Sequence, residues 1–269
     1  MRANDPHAGT RTFTFLGTGT SFGVPQLGCH CDVCRSPDPR DTRTRVGAVL
    51  ESNHGTRLLI DTPPELRLQL IANGIDRVDA VLYTHSHADH THGIDDLRAI
   101  TIRRSAPLPI YGPAETLNDL SERFKYIFDD GIRVLPGTSK PEGKAHVVEP
   151  GVPFTIADFD IMAVRVPHGT TTVFAYRIGP LAYVTDAKSL PPESLDVLRG
   201  ASVLVINALF RTEHPTHLSL PEAVAVAREI GAERTNLTHL THDNFHADLE
   251  AELPRGIVPA FDGLTVRID

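Results

Sequence analysis

The segment THSHADH, Thr84 to His90, sets three histidines and one aspartate within seven positions, directly after the apolar run Ala80-Val81-Leu82-Tyr83. Such a run predicts a buried strand over Val78–Tyr83 whose carboxyl end delivers the polar residues. Side chains alternate along extended backbone, so His85 and His87 point to one side and can ligate one ion. Asp89 and His90 follow where the strand gives way to a turn, and can face a neighbouring ion. Imidazole suits zinc, manganese or iron, and a carboxylate tolerates all three. A chain built this way must bring its remaining ligands from the ends of other strands.

Three positions offer them. His168 follows the strand ending Val166-Pro167, Asp186 follows Leu181–Thr185, and His239 follows Thr235–Thr238. Each is a ligand type placed just after an apolar strand, where loops carry chemistry on a rigid support.

The remaining chain alternates short apolar runs with turn chemistry. Strands are predicted at Thr12–Leu16, at Val46–Glu51 and Arg57–Ile60 as a hairpin around Asn53-His54-Gly55, and at Pro109–Tyr111. Further strands are expected at Phe154–Ile156, Ile161–Val166, Val173–Ile178, Leu181–Thr185, Val203–Ile206 and Thr235–Thr238, with a hairpin-like piece at Phe261–Ile268. Helices are expected over Glu65–Ala72, opened by Pro63-Pro64 and closed by Asn73-Gly74, then over Ala114–Phe128 and Pro221–Ile230. Residues 129–151 read as a loop. Many strands with interspersed helices predict an α/β protein, an αββα sandwich. No repeat or linker divides it, so 11–269 is one domain behind a flexible N-terminus at 1–10.

With 41% hydrophobic and 22% charged residues, 269 residues supply a sizeable core. The net charge of -8 argues against a large nucleic-acid footprint. The start, MRANDPHAGT, lacks a signal-peptide core, and no apolar stretch approaches the roughly 20 residues of a membrane span. A cytoplasmic protein without membrane contact is expected. The only cysteines are Cys29, Cys31 and Cys34. An odd set crowded into six positions is poor material for disulfides and points to metal.

The pattern H-x-H-x-D-H with a downstream His, Asp and His resembles the metallo-β-lactamase superfamily of binuclear hydrolases. The resemblance implies that His85, His87 and His168 hold one divalent ion, that Asp89, His90 and His239 hold the other, and that Asp186 bridges them. Histidine at position 87, where redox members carry glutamate, implies hydrolysis. The loop GCHCDVC (Gly28 to Cys34, within a Cys-rich zinc loop at 28–36), the opening GTGTSFGVP, the later LTHLTH and the closing FDGL are similar to the cyclic phosphodiesterases of phosphonate breakdown. In that family three cysteines and one histidine hold a structural zinc, and the matching residues are Cys29, Cys31, Cys34 and His242. Such a set closes a tetrahedron and leaves no open position. His30 stands as another choice of fourth ligand, with cramped spacing.

Two ions, zinc or manganese, at roughly 3.5–4 Å can share a water and supply hydroxide. The segment HLSLPEA resembles that family's acid-bearing segment, so His217 is expected to protonate the leaving oxygen or to hydrogen-bond the phosphate, with Asp89 also orienting the nucleophile. The expected partner is a small cyclic or nucleotide-like phosphodiester, with phosphoribosyl 1,2-cyclic phosphate as the named example and a homodimer as an admitted assembly. The alternatives are a ribonuclease similar to the tRNA 3′-processing enzyme and, last, a non-catalytic zinc-stabilised binding module. Arg43 and Arg45 stand as phosphate-steering candidates or surface cations, and His92 as a residue hydrogen-bonded to a metal ligand. Gly17-Thr18-Gly19-Thr20 reads either as a phosphate-approaching turn or as a plain tight turn. His7, His54, His146, His214 and His246 read as surface or loop.

Overall fold

Phe13 and Phe15 alternate with Thr12 and Thr14, but the next strands are apolar on both faces. Ala48 and Leu50 point one way and Val49 the other, Leu58 and Ile60 one way and Leu59 the other, Ala80 and Leu82 one way and Val81 the other. Strands of that kind need cover on each side, which forces layers above and below the sheet.

The computed structural model describes residues 11–268; the N-terminal segment expected to be flexible, and His7 within it, lie outside them. Strands β1 (Thr12–Gly17), β2 (Gly47–Glu51) and β3 (Arg57–Ile60) run antiparallel. Helix α1 (Leu66–Ala72) crosses to β4 (Ala80–Leu82), then α2 (Ala88–Thr91) and α3 (Arg98–Arg104) lead to β5 (Leu108–Gly112). Helices α4 (Ala114–Arg123) and α5 (Lys125–Phe128) lead to β6 (Gly143–Val147). The second half starts with β7 (Phe154–Ile156) and the long hairpin β8 (Phe159–His168) and β9 (Thr171–Ile178). It continues through β10 (Leu181–Val184), α6 (Pro192–Leu198), β11 (Val203–Asn207), α7 (Leu220–Ile230), β12 (Arg234–Thr238), α8 (His246–Glu252) and β13 (Ile257–Pro259), and β14 (Thr265–Arg267) closes it.

Two seven-stranded sheets result, ordered β14-β1-β2-β3-β4-β5-β6 and β13-β12-β11-β10-β9-β8-β7. One apolar cluster lies between the sheets, from Phe13, Leu50 and Leu82 to Tyr176, Tyr183 and Val205. A second packs α6, α7 and α8 on the outer face of the second sheet, and a third packs α1, α3 and α4 on the outer face of the first. Three cores between four layers make the αββα sandwich that the sequence predicts. Strands β3 to β6 are mutually parallel, as are β10 to β13, so their carboxyl ends line up along one rim. Open α/β sheets place ligands at such ends.

Helix α7 illustrates local specification: Ser219 and Glu222 form a capping box, Pro221 sits in the first turn, and Gly231 ends the helix at φ 74°. Other readings need correction. The loop expected at 129–151 contains β6, an edge strand whose Lys144 and His146 obscure its pattern. The single helix expected over Ala114–Phe128 breaks at Phe124 into α4 and α5. The Phe261–Ile268 hairpin does not form; Thr265–Arg267 pairs with β1 instead, because Asp262 is held by Thr18 and Thr44. Helices α3, α6 and α8 and strand β13 went unread. None of the helices among the described residues is long and apolar enough to cross a membrane.

Candidate metal centre

Strands β3, β10 and β12 are each followed within two residues by a non-glycine residue with positive φ: Asp61 (59°), Asp186 (53°) and His239 (57°). Among the described non-glycine residues only Ser105 and Ala157 share that conformation. The left-handed region costs on the order of 1 kcal/mol or more for such residues and concentrates at functional sites. The three turns aim their side chains at the loop after β4, where THSHADH lies.

There the structure brings His85, His87 and His168 together, Asp89, His90 and His239 together, and Asp186 against both His85–His90 and His168–His217, each group with its ligand atoms within 4.8 Å of one another. His90 belongs to α2, one helical turn begun at His87, so the turn expected at Asp89-His90 is helical. His85, His90, Asp186 and His239 are almost wholly buried, and His87 opens to solvent. Outward nitrogens are fixed: Thr84 Oγ1 lies 3.0 Å from His85 Nδ1, Asp61 Oδ2 lies 2.7 Å from His90 Nδ1, and His168 Nδ1 donates to the Thr216 carbonyl at 3.0 Å. Inward nitrogens are not: His85 Nε2, His90 Nε2 and His239 Nε2 lack any hydrogen bond. His90 Nε2 and His239 Nε2 lie 3.2 and 3.0 Å from Asp186 oxygens, but misaligned for hydrogen bonding. Buried polar atoms without partners call for a missing one, and converging imidazole and carboxylate lone pairs suit a divalent cation.

Charge balance agrees. Burial pushes the Asp186 carboxyl up, but His239 and His90 outweigh it and hold it well below the usual range. Burial pulls His90 down, but Asp186, Asp89 and Asp61 raise it well above an ordinary imidazole. His217 sits over this cluster, Nε2 at 2.9 Å from Asp186 Oδ1 and Nδ1 at 2.8 Å from Thr216 Oγ1. Burial brings it down to about 4, so its ring is neutral.

Asp61 went unread, although Leu58-Leu59-Ile60-Asp61 carries the same signal of a polar residue after an apolar strand. Its carboxylate also accepts from the Thr84 N–H and Oγ1, tying the motif's first residue to its last. His92 does not take that place: it is exposed and packs near Phe124.

The sulfurs of Cys29, Cys31 and Cys34 lie 3.3, 3.5 and 3.5 Å from His242 Nδ1, and His30 is exposed outside the group. The Cys34 N–H is the main cause lowering the Cys31 thiol to about 7, whereas burial raises Cys34 to about 11. Three sulfurs around one imidazole nitrogen match the donor set of a closed zinc site.

Arg43 is neither a substrate contact nor a surface cation. It is fully buried, donating to Thr241 O at 2.9 Å, Asn244 O at 3.1 Å and Asp41 Oδ1 at 3.2 Å. Arg45 is engaged by Glu65 and the Ser21 carbonyl. The Gly17–Thr20 turn is a packing device: the Gly19 N–H is taken by Thr44 O, and a Cβ on Gly19 would stand 2.7 Å from Arg43 O. Of the histidines read as surface or loop, His246 lies instead in a helix and is buried, whereas His214 does lie in a loop. His246 is buried against Phe261, and His214 lines a cleft beside His217.

An αββα sandwich with a histidine–aspartate cluster on its strand-end rim defines a metallo-β-lactamase-fold hydrolase. The chain belongs to the beta-lactamase superfamily domain family, whose model matches residues 56–240. A solved structure titled a new diphosphatase from the PhnP family superposes with a TM-score of 0.88 at 38% identity, covering 96% of each chain. A Porphyromonas gingivalis protein named octanoyltransferase is 40% identical over 259 residues, which are 94% of this chain and 51% of that protein. The chain thus spans about half the length of that relative. A ribonuclease Z of Methanopyrus kandleri is 30% identical, covering 86% of this chain and 94% of the relative.

Proposed function

We propose that the chain is a metal-dependent phosphodiesterase acting on a small cyclic or nucleotide-like phosphodiester. Two divalent ions, zinc or manganese, would occupy the histidine–aspartate cluster and one zinc the Cys29–Cys31–Cys34–His242 group. The convergence of the unpartnered nitrogens of His85, His90 and His239 carries this reading. His85, His87 and His168 would hold one ion, Asp89, His90 and His239 the other, with Asp186 between them. Bound there, two ions lower the pKa of a shared water and neutralise charge on a phosphoryl oxygen. The chain's own part is positioning. Thr84, Asp61 and the Thr216 carbonyl lock three imidazoles from behind. The Nε2 N–H of His217, which Asp186 Oδ1 accepts at 2.9 Å, would be free to donate to a phosphate oxygen once Asp186 is taken up by the ions; the phosphate's negative charge then favours the protonated ring and the acid role. The PhnP-family neighbour at 38% identity supports phosphoester chemistry.

A ribonuclease is the second reading, favoured by the ribonuclease Z relative. The net charge of -8 weighs against it.

Elemental analysis of protein purified without added metal, together with hydrolysis of bis(p-nitrophenyl) phosphate, tests the proposal. About three ions per chain and turnover are expected, with His85→Ala inactive yet keeping a zinc equivalent. One ion and no turnover after zinc or manganese addition would overturn it, and cleavage of a tRNA precursor in preference to the diester would select the ribonuclease. A subtler variant probes the support: Asp61→Asn should weaken active-site metal affinity roughly 10–100-fold, the usual cost of losing a ligand's outer partner. Chelator competition reads that shift, and an unchanged affinity would show that His90 needs no carboxylate behind it.

A further inference from the structure

A cleft of about 200 Å³ opens beside the cluster, with His217 and His239 at its inner end and Phe22, Gln26, Phe210 and His214 along its walls. We infer that this cleft seats the flat ring of the substrate's organic group, so that the preferred diester carries a nucleobase or similar aromatic ring and not a bare sugar. The inference rests on the phosphodiesterase reading and specifies its substrate.

Rings run unbroken from the cleft wall to the reacting centre. Phe210 and His214 are 5.5 Å apart between centroids, His214 and His217 5.5 Å, and His217 and His239 4.8 Å and nearly parallel. A phosphodiester against His217 would therefore project its ester group along an aromatic wall. Flat π-faces accept any base by stacking, with little sequence reading.

Phe22 also lines the cleft and is 67% exposed. Looseness does not account for that exposure. Phe22 N–H donates to Thr20 Oγ1 at 3.3 Å, Gly23 N–H to Thr20 O at 2.9 Å, and Val24 and Arg43 exchange both backbone hydrogen bonds at 2.8 and 2.7 Å. Arg45 Nε ties down the Ser21 carbonyl. A large ring fixed in water at the mouth of a reactive site is unfavourable until something flat covers it. Gln26 adds an amide able both to donate and to accept, as the edge of a base requires. The volume sets the size of the guest. It falls below the roughly 300–1,000 Å³ of sites for drug-sized ligands and suits a single ring system.

The test compares adenosine 2′,3′-cyclic phosphate with methyl β-ribofuranoside 2,3-cyclic phosphate, which differ only in the base, on metal-loaded enzyme. The wild type should favour the nucleoside ester in kcat/KM by about tenfold or more, mainly through KM. Phe210→Ala and Phe22→Ala should each shrink that ratio several-fold, and Phe210→Trp should keep it. Saturation-transfer NMR on AMP gives a readout apart from turnover: signal should pass to the adenine protons in the wild type and fade in Phe210→Ala, with thermal melting confirming that the variant folds. Equal kcat/KM for the two diesters and transfer confined to ribose would overturn the inference while leaving the phosphodiesterase intact. Absence of turnover on every diester would instead count against the parent reading.

Discussion

Asp186→Ala is expected to lower diester turnover by at least about 10³-fold, equivalent to about 4 kcal/mol of transition-state stabilisation. Its two oxygens lie within 3.2 Å of His90, His217 and His239. The carboxylate is held ionised chiefly by His239 and His90, and alanine removes the oxygens that these rings share. Bound metal should fall from about three ions per chain toward one, since the sulfur group shares no residue with the cluster. Asp186→Asn keeps the shape and one acceptor oxygen but loses the charge, and should retain structure while losing most of the activity. Turnover within tenfold of wild type in both variants, with metal content unchanged, would remove Asp186 from the centre.

The largest effect on stability is expected from Arg43→Ala. The guanidinium is fully buried and pairs with Asp41, itself buried, whose oxygens also accept from the His246 N–H and Ser36 Oγ. Its Nη1 donates to the Thr241 carbonyl and its Nη2 also to the Asn244 carbonyl, on either side of His242, while Nε is buried without a partner. Burial lowers the Arg43 pKa, but a guanidinium stays charged throughout the working range. Deleting one partner of a buried pair leaves the other uncompensated and costs about 3–5 kcal/mol. In a domain of this size that is a fall in Tm of roughly 6–20 °C. Calorimetry on the zinc-loaded protein reads it, and a shift under about 2 °C would mean that water replaces the guanidinium. Arg43→Lys, which keeps the charge but reaches fewer partners, should fall between.

How much of this was legible depends on how far along the chain each signal lies. The four residues from His85 to His90 announce themselves by crowding, and His168, Asp186 and His239 by following apolar strands. The two-sided apolar pattern of β2, β3 and β4 carries the sandwich. Asp61 bore the same mark as Asp186 but lay beside Pro63-Pro64, where turn chemistry is the simpler explanation. Arg43 was misread because its burial is decided by Asp41 and by two carbonyls about two hundred residues away. Helix α3 escaped because Ile100, Thr101 and Ile102 read as β-branched strand formers, and only packing against the first sheet makes them helical. The cleft lined by Phe22 and Phe210 had no signature, since its walls come from loops separated by most of the chain.

The first and last strands of the described domain pair with each other, Thr12 opposite Arg267. Thr12 lies at the far end of β1 from Gly17, a distance of about 17 Å at the rise of a strand, so both ends of the domain emerge together and on the side away from the rim of strand ends. Material attached at either end would leave Phe22, Phe210 and the histidine cluster open to solvent. The architecture thus offers a single corner, remote from the rim of strand ends, at which another protein could be joined.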